Sequence, residues 1–240
     1  MTIRKRPRRE QRNLSRQLIL RAETKGGRGH HMITYRDLAR LAPASPAFNR
    51  PEWIFELKHD GFRVLAGRTA KDPFLSSRRG TDLLPCYPEI RACLVELPQM
   101  VLDGELVVLD RHGRPDFESL RRRLAMKRPI AVENAAKTMP AAIFAFDLLE
   151  LRGKDVRTLP LLKRKQLLGE ELRGSERIRY LEHVGESGHR LFQVAEELGL
   201  EGIVAKHAGA PYRRGRASGW IKIKTNAGRL IDEARAKWNE

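Results

Sequence analysis

A lysine between a carboxylate and a tight turn is the strongest candidate for chemistry in the sequence. In the stretch from Glu56 to Arg63, Lys58 follows Glu56 by two residues and precedes Asp60-Gly61. Side chains alternate along a strand, so Glu56 and Lys58 are predicted to share one face. A lysine nucleophile needs the neutral amine, which nearby cations or partial desolvation favour. The simpler alternative is an exposed strand lysine followed by a turn.

Two further lysines share one face of a predicted strand late in the sequence. In the segment from Trp220 to Lys224, Trp220, Lys222 and Lys224 alternate with two isoleucines. Two ammonium groups fixed on one strand suit a phosphate group, because lysine binds phosphate as a point charge. Taken alone, this pattern is also typical of an ordinary strand that faces solvent.

Single polar residues interrupt otherwise apolar segments elsewhere. Glu105 and Glu201 each lie in such a segment, and a buried carboxylate needs a partner. A hard cation such as Mg²⁺ is one candidate, and an ion pair with an arginine is the alternative. Phe146 could offer its ring to a nucleotide base, although a single strand aromatic is more often part of the core.

Six segments that are rich in Val, Ile, Phe and Leu are predicted to be the strands that position these residues. They are 53–58, 62–67, 101–109, 142–149, 201–206 and 220–224. Apolar residues at helical spacing predict three helices. The first begins after Pro88, the second includes Phe117 to Leu124, and the third ends at Gly199. Because strands and helices alternate without a strict βαβ rhythm, the predicted class is α+β with antiparallel sheets.

The composition favours a polyanionic partner. The 240 residues include 47 Lys and Arg against 30 Asp and Glu, which gives a net charge of +17 and a pI near 10.5. Such an excess indicates nucleic acid as the partner. No apolar stretch is long enough to cross a bilayer and no secretory signal is visible, so we expect a cytoplasmic protein. Two cysteines are too few for a disulfide framework or a four-ligand zinc site.

Residues 1–31 form a basic segment with ten Lys or Arg and two Glu, which gives it a charge of +8. We interpret it as a flexible arm that follows DNA phosphates, whose deletion is expected to weaken DNA binding and its salt dependence. A solubilising tail is one alternative. The other is upstream sequence preceding a true start at Met32.

The order of these motifs along residues 38–225 resembles the covalent nucleotidyltransferase superfamily. It is most similar to ATP-dependent DNA ligases, in particular the ligase domain of the bacterial end-joining (ligase D) type. The motifs are Lys58-x-Asp60-Gly61-x-Arg63, Ser77-Arg78-Arg79-Gly80, Asp103-Gly104-Glu105-Leu106, Phe146-Asp147-Leu148-Leu149, Glu201 to Lys206 and Trp220 to Lys224. The resemblance implies an ATP-grasp-like ligase adenylation fold, α+β with antiparallel sheets flanked by helices.

The resemblance also implies how the nucleotide is handled. Lys58 would attack the α-phosphate of ATP and hold AMP as a phosphoramide. Lys222 and Lys224 would bind that phosphate. Glu56 would contact the adenine amino group and Phe146 would stack on the ring.

Further residues are implied for the ribose, the metal and the DNA. Asp60 belongs to the nucleotide-binding set, and Arg63 and Arg78 would hold the ribose and the end of the broken strand. Glu105 and Glu201 would serve the ribose and Mg²⁺. The implied reaction joins nicked or broken DNA by way of lysyl-AMP.

The sequence departs from the family after Lys224, where only 16 residues follow. Family members continue there into an oligonucleotide-binding (OB) barrel, and we expect none here. We therefore divide the chain into the arm, an adenylation domain at 32–225, and a C-terminal helix or tail at 226–240. Self-adenylation is expected to be weaker than the sealing of an already adenylated nick. A separate chain could supply the barrel, and other end-joining proteins are possible partners.

Two other functions stay open on sequence alone. An RNA ligase or capping-type guanylyltransferase would use the same motifs. A nucleic-acid-binding remnant without activity would use only the basic surface. The complete set of lysines and carboxylates favours retained chemistry.

Overall fold

The described part of the chain contains ten strands and six α-helices, over residues 33–42, 45–215 and 219–237 of a computed structural model. The strands are β1 Trp53–Leu57, β2 Phe62–Arg68, β3 Pro73–Ser77, β4 Met100–Val108, β5 Ala141–Leu151, β6 Lys154–Asp155, β7 Ile178–Tyr180, β8 Val184–Gly185, β9 Gly202–His207 and β10 Trp220–Lys224. The helices are α1 Pro88–Val95, α2 Phe117–Ala125, α3 Pro129–Thr138, α4 Leu161–Glu171, α5 Gly188–Glu197 and α6 Asn226–Lys237.

The predicted strands and helices are present, and the majority of their ends are shifted by one or two residues. The six predicted strands correspond to β1, β2, β4, β5, β9 and β10, and the three predicted helices to α1, α2 and α5. The short strands β3, β6, β7 and β8, and helices α3 and α4, were not predicted from the sequence. The basic arm at 1–31 lies outside the described residues.

The larger sheet has the strand order β3-β2-β4-β5-β6, and β7 pairs with β5 in parallel. The pairings along that order are antiparallel. One face of the sheet buries apolar side chains such as Leu102 and Ile143 against Leu94 of α1 and Leu167 of α4. Because side chains alternate along each strand, the opposite face is left for polar residues of β2 and β4.

The smaller sheet has the order β10-β9-β1-β8 and is antiparallel. One face packs on α5, where Phe55, Ile203 and Ile223 form an apolar cluster with Ala195 of that helix. The opposite face carries the predicted site residues. In register across the three strands, Glu56 lies beside Val204 and Val204 beside Lys222.

The two sheets pack together through a third apolar cluster. Leu65 of β2 and Val101 of β4 join Trp220 of β10, and Tyr212 fills the space between them. The Tyr212 hydroxyl donates to Asp103 Oδ2 at 2.6 Å and accepts from the Ala39 backbone N at 2.9 Å. The polar faces of both sheets therefore border one cleft. Among the described residues, no helix is long and apolar enough to cross a membrane.

Candidate active site

Lys58 lies at the end of β1, where the smaller sheet meets the cleft. Its backbone N–H donates to the Gly202 carbonyl at 2.8 Å, which extends the pairing with β9 by one residue. Its Nζ lies 2.6 Å from Glu201 Oε2, and the side chain is 20% exposed. The candidate nucleophile is thus held by the sheet but open to the cleft.

Glu201 is a buried carboxylate shared by two lysines. Its second oxygen, Oε1, accepts from Lys224 Nζ at 3.1 Å, while Oε2 contacts Lys58. The close pairing of β9 and β10 depends on Gly202, whose φ is 147° and whose added Cβ would lie 2.2 Å from the Ile223 carbonyl oxygen. Glycine at this position lets β10 approach closely enough for Lys224 to reach Glu201.

Helix α6 adds a second carboxylate to Lys224. Asp232 Oδ1 lies 2.5 Å from Lys224 Nζ. Gly228 lets the first turn of α6 lie directly on the Glu201 backbone, because an added Cβ would meet the Glu201 carbonyl oxygen at 1.9 Å. The result is a row of alternating charges, Lys58, Glu201, Lys224 and Asp232, which we call the phosphate-end row. Lys222 lies next to it and is partly exposed, and its ammonium group makes no hydrogen bond to a described residue.

A second group of charges surrounds Glu56 at the other end of the cleft. Glu56 Oε1 accepts from Lys165 Nζ at 2.5 Å, and Oε2 lies 2.6 Å from Lys206 Nζ. The Lys206 ammonium is in ion-pair contact but lacks the alignment of a hydrogen bond. Burial alone would raise the pKa of Glu56, but the ammonium groups of Lys165 and Lys206 outweigh burial and lower it. Glu56 is therefore an ionised carboxylate within the protein.

Aromatic rings line the same end of the cleft. Phe146 and Trp220 meet edge to face, with ring centroids 5.7 Å apart. The Lys206 ammonium lies 4.3 Å from the Phe146 centroid and 4.0 Å from the Trp220 centroid, within cation–π range of both. Together with Glu56 and the apolar Val204, these residues line a pocket that suits a flat base.

The larger sheet contributes Arg63 and Glu105, which are paired in register across β2 and β4. Arg63 makes a two-point ion pair with Asp103, at 3.0 and 2.6 Å, and donates to the Ala39 carbonyl at 2.6 Å. The Glu105 side chain makes no hydrogen bond to a described residue, and burial raises its pKa to about 8, although Lys58 and Arg63 oppose that effect. Asp103 thus fixes Arg63, whereas Glu105 is the carboxylate left available in the cleft.

The predicted site residues divide between two cavities. Glu56, Lys58, Arg63, Glu105 and Phe146 line the cleft pocket. Glu201, Lys222 and Lys224 adjoin it through the contacts of Lys58 and through β10. Asp60 follows in the turn after Lys58. Arg78 instead lines a neighbouring cavity of about 440 Å³ with Arg36, Arg40 and Arg214.

Sequence reasoning did not assign a role to several residues at the site. Lys206 lies within a recognised motif, two positions after Val204 on the same face, and this alternation could have identified it. His59 stacks on Phe144 with centroids 4.1 Å apart, and burial together with Lys58 lowers its pKa to about 4. His59 is therefore a neutral aromatic ring at physiological pH. Lys165 is distant in the sequence and carried no local signal.

A lysine at the junction of two largely antiparallel sheets, between a pocket lined by aromatic rings and a strand that carries two further lysines, is the arrangement of a covalent nucleotidyltransferase domain. The family model described as "ATP dependent DNA ligase domain" matches residues 38–224. The chain therefore belongs to the ATP-dependent DNA ligase family, and the predicted family and α+β fold class are confirmed.

Two relatives illustrate the similarity. The chain is 35% identical over 192 residues to the multifunctional non-homologous end joining protein LigD of Pseudomonas aeruginosa, a match that covers 78% of this chain and 21% of that protein. It is 33% identical over 196 residues to the bifunctional LigD of Bacillus subtilis, covering 72% and 31%. The chain thus spans less than a third of the length of these relatives.

Two solved structures of ligase D proteins are also similar to this chain. Mycobacterial DNA ligase D complexed with ATP and MES matches with a TM-score of 0.65 and 28% identity, over 80% of this chain and 62% of that one. The ligase domain of Mycobacterium tuberculosis LigD matches with a TM-score of 0.63 and 30% identity, over 78% and 59%. Both similarities extend over most of this chain.

Proposed function

We propose that this protein is an ATP-dependent DNA ligase that joins strand breaks through an AMP bound covalently to Lys58. The observation that carries the proposal is the position of Lys58 between a pocket that suits a base and a lysine that suits a phosphate. On one side lies the pocket of Glu56 and Phe146, which suits a base. On the other side Glu201 connects Lys58 to Lys224 within 3.1 Å, which suits a phosphate.

In the first step the Lys58 amine attacks the α-phosphorus of ATP. A P–N bond forms, the bond from the α-phosphorus to the bridging oxygen breaks, and pyrophosphate leaves. Lys58 must lose a proton first, and Glu201 Oε2 at 2.6 Å is positioned to accept it. Lys222 and Lys224 would neutralise the charge that develops on the α-phosphate, which is the main requirement of phosphoryl transfer.

In the second step a 5′-phosphate oxygen of the DNA attacks the same phosphorus, and the P–N bond to Lys58 breaks. In the third step a 3′-hydroxyl attacks the DNA phosphate, a phosphodiester forms and AMP leaves. The arginine cavity that includes Arg78 supports a nucleic-acid substrate, because guanidinium groups bind phosphates in two-point fashion. We assign the end of the broken strand to Arg78 and the ribose side to Arg63.

Magnesium fits the carboxylates of the site. Mg²⁺ is usually held by one or two carboxylates together with phosphate oxygens. Glu105, whose side chain has no hydrogen bond to a described residue, and Glu201 fit this pattern. No group of three or more potential ligands occurs in the described part of the chain. When bound, the ion would neutralise phosphate charge. Glu105 would also serve the ribose.

We further propose that the physiological substrates are nicked or broken DNA in strand-break repair. The LigD relatives are named for non-homologous end joining, which supports this role. Other end-joining proteins would then be partners of this chain.

The decisive experiment incubates the protein with Mg²⁺ and either ATP or GTP, and identifies the adduct by peptide mass spectrometry. We expect AMP on Lys58, and at least a 1000-fold loss of adduct in Lys58→Ala because no other amine replaces the nucleophile. Lys71→Ala is the matched control, since Lys71 is an exposed lysine in the β2–β3 turn. It should react like the wild type.

The outcomes separate the candidate functions. Sealing of a nicked DNA duplex by the wild type, and of a pre-adenylated nick without ATP, is expected. A GMP adduct would support a capping-type enzyme in place of a ligase. Absence of an adduct together with absence of sealing would leave a binding protein without activity.

A further inference from the structure

The three charges at the base end of the cleft are buried together. Glu56 and Lys165 are each 1% exposed and Lys206 is 2% exposed. We call these residues the base-end triad. Lys165 comes from α4, 109 residues after Glu56, and does not line the pocket itself. Lys165 instead contacts two residues that do line the pocket, the carboxylate of Glu56 and the backbone carbonyl of Leu181.

Lys165 is fixed by contacts besides Glu56. Its Nζ donates to the Leu181 carbonyl at 3.0 Å and lies 4.5 Å from the Tyr180 ring centroid. Three interactions thus converge on one ammonium group, so the position of Nζ is well defined. Since Glu56 Oε1 lies 2.5 Å from that Nζ, the carboxylate is fixed with it.

The protonation state of Glu56 determines which base it can bind. An ionised carboxylate only accepts hydrogen bonds, whereas a protonated one can also donate. The exocyclic amine of adenine is a donor, and the corresponding carbonyl of guanine is an acceptor. At the 6-position of the base, a permanently ionised Glu56 therefore suits the adenine amine and opposes the guanine carbonyl.

We propose that Lys165 is a positioning residue for base specificity, which keeps Glu56 ionised and oriented so that the site accepts ATP and rejects GTP. The inference rests on the proposed function, because it requires a nucleotide in the cleft. It assigns to α4 a role that the sequence motifs do not contain.

The histidine and tyrosine rings around Glu56 are uncharged, so the lysines are the groups that keep Glu56 ionised. Burial lowers the pKa of His183, and burial together with Lys58 lowers that of His59 to about 4, so both rings are neutral above pH 7. Burial raises the pKa of Tyr180, which stays neutral as well. Burial also lowers the pKa of Lys206, although Glu56 opposes it. Of the two ammonium groups, Lys165 lowers the pKa of Glu56 more than Lys206 does, so its removal should change Glu56 most.

The test compares Lys165→Met with the wild type for ATP and GTP. Rates of Lys58 adduct formation at low nucleotide concentration, and dissociation constants from calorimetry, are measured from pH 6.5 to 8.5. We expect the preference for ATP over GTP to fall by about 10- to 100-fold in the variant, as for loss of a charged hydrogen bond. The fall should be greatest at low pH, whereas the wild-type ratio should stay constant. Phosphate titration cancels in this ratio because both nucleotides carry the same triphosphate.

Matched variants distinguish positioning from a general structural effect. Lys163→Met, on the exposed side of α4, should retain the wild-type preference. In a Glu56→Gln background, adding Lys165→Met should cause no further loss of preference, because the proposed effect of Lys165 on the choice of base requires the Glu56 carboxylate. Lys165→Gln retains a donor for the Leu181 carbonyl and replaces Lys165→Met throughout if the methionine variant does not fold.

Two negative outcomes are distinguishable. A wild-type protein that takes up neither nucleotide overturns the proposed function and this inference with it. A selective wild type whose preference persists within twofold in the Lys165 variants, or whose preference falls equally with and without Glu56, overturns the inference alone.

Discussion

The two ends of the cleft hold opposite charges in contact, but in different environments. In the base-end triad every side chain is at most 2% exposed. In the phosphate-end row exposure rises from 3% at Glu201 to 9% at Lys224, 20% at Lys58 and 53% at Asp232. One end is part of the core, and the other opens to solvent.

This difference matches what each end would recognise under the proposed function. A buried ion pair is difficult to break, because a lone charge is left without solvation. An exposed pair contributes little and exchanges readily for another anion. The base end is thus suited to discriminating a fixed base edge, and the phosphate end to releasing its lysines to each phosphate that enters during the reaction.

The largest expected effect comes from breaking the base-end triad. Glu56→Ala leaves Lys165 and Lys206 buried without their carboxylate, and we expect the free energy of unfolding to fall by about 3–5 kcal/mol. Urea denaturation followed by circular dichroism measures this change. Glu133→Ala, at an exposed position on α3, is the control and should stay within ~0.5 kcal/mol of the wild type. A loss below ~1 kcal/mol in Glu56→Ala would mean that the buried charges contribute no more than surface pairs.

The contrast between the two ends also shows which contacts of the site could be predicted from the sequence. Alternation along the predicted strands placed Glu56 beside Lys58, and Lys222 beside Lys224, on one face of the smaller sheet, as found. The pairing of Glu56 with Lys165 joins residues 109 positions apart and depends on how α4 packs on the sheets. No local pattern specifies such a contact.

The same limit applies at the phosphate end. A C-terminal helix or tail was expected after residue 225, but the contact of Asp232 with Lys224 depends on where α6 lies. The close approach of α6 to the Glu201 backbone requires a glycine at position 228. This requirement is clear from the structure but could not be recognised in the sequence. The roles of the site residues in catalysis stay predictions from the family resemblance.

Glu105, between the two ends, should make stability depend on pH. Burial raises its pKa to about 8 from an ordinary value of 4.5, so the folded protein binds this proton more tightly than the unfolded chain. Stability from this group is therefore complete below about pH 4.5 and is lost as the pH rises toward 8. Glu105→Gln cannot ionise and should gain on the wild type over that range, with a difference that grows as the pH rises from 5 and levels off above pH 8.

Thermal unfolding of both proteins from pH 5 to 8.5 tests this expectation. The difference between them isolates Glu105, because every other titrating group is common to both. The two stabilities should converge near pH 5. Parallel curves without a change in their separation would contradict the raised pKa.

The smallest expected effect on stability comes from Asp232 at the exposed end of the phosphate-end row. Asp232→Asn removes a half-exposed partner of Lys224, so the free energy of unfolding should fall by no more than ~1 kcal/mol. Affinity for ATP should instead increase by about two- to fivefold, because the carboxylate no longer competes with phosphate for the lysine. Calorimetric titration with ATP measures this, with Glu233→Gln, an exposed neighbour on α6, as the control. If Asp232→Asn weakened ATP binding while Glu233→Gln did not, Asp232 would be orienting Lys224 toward the nucleotide, and the contrast between a fixed base end and an exchangeable phosphate end would fail.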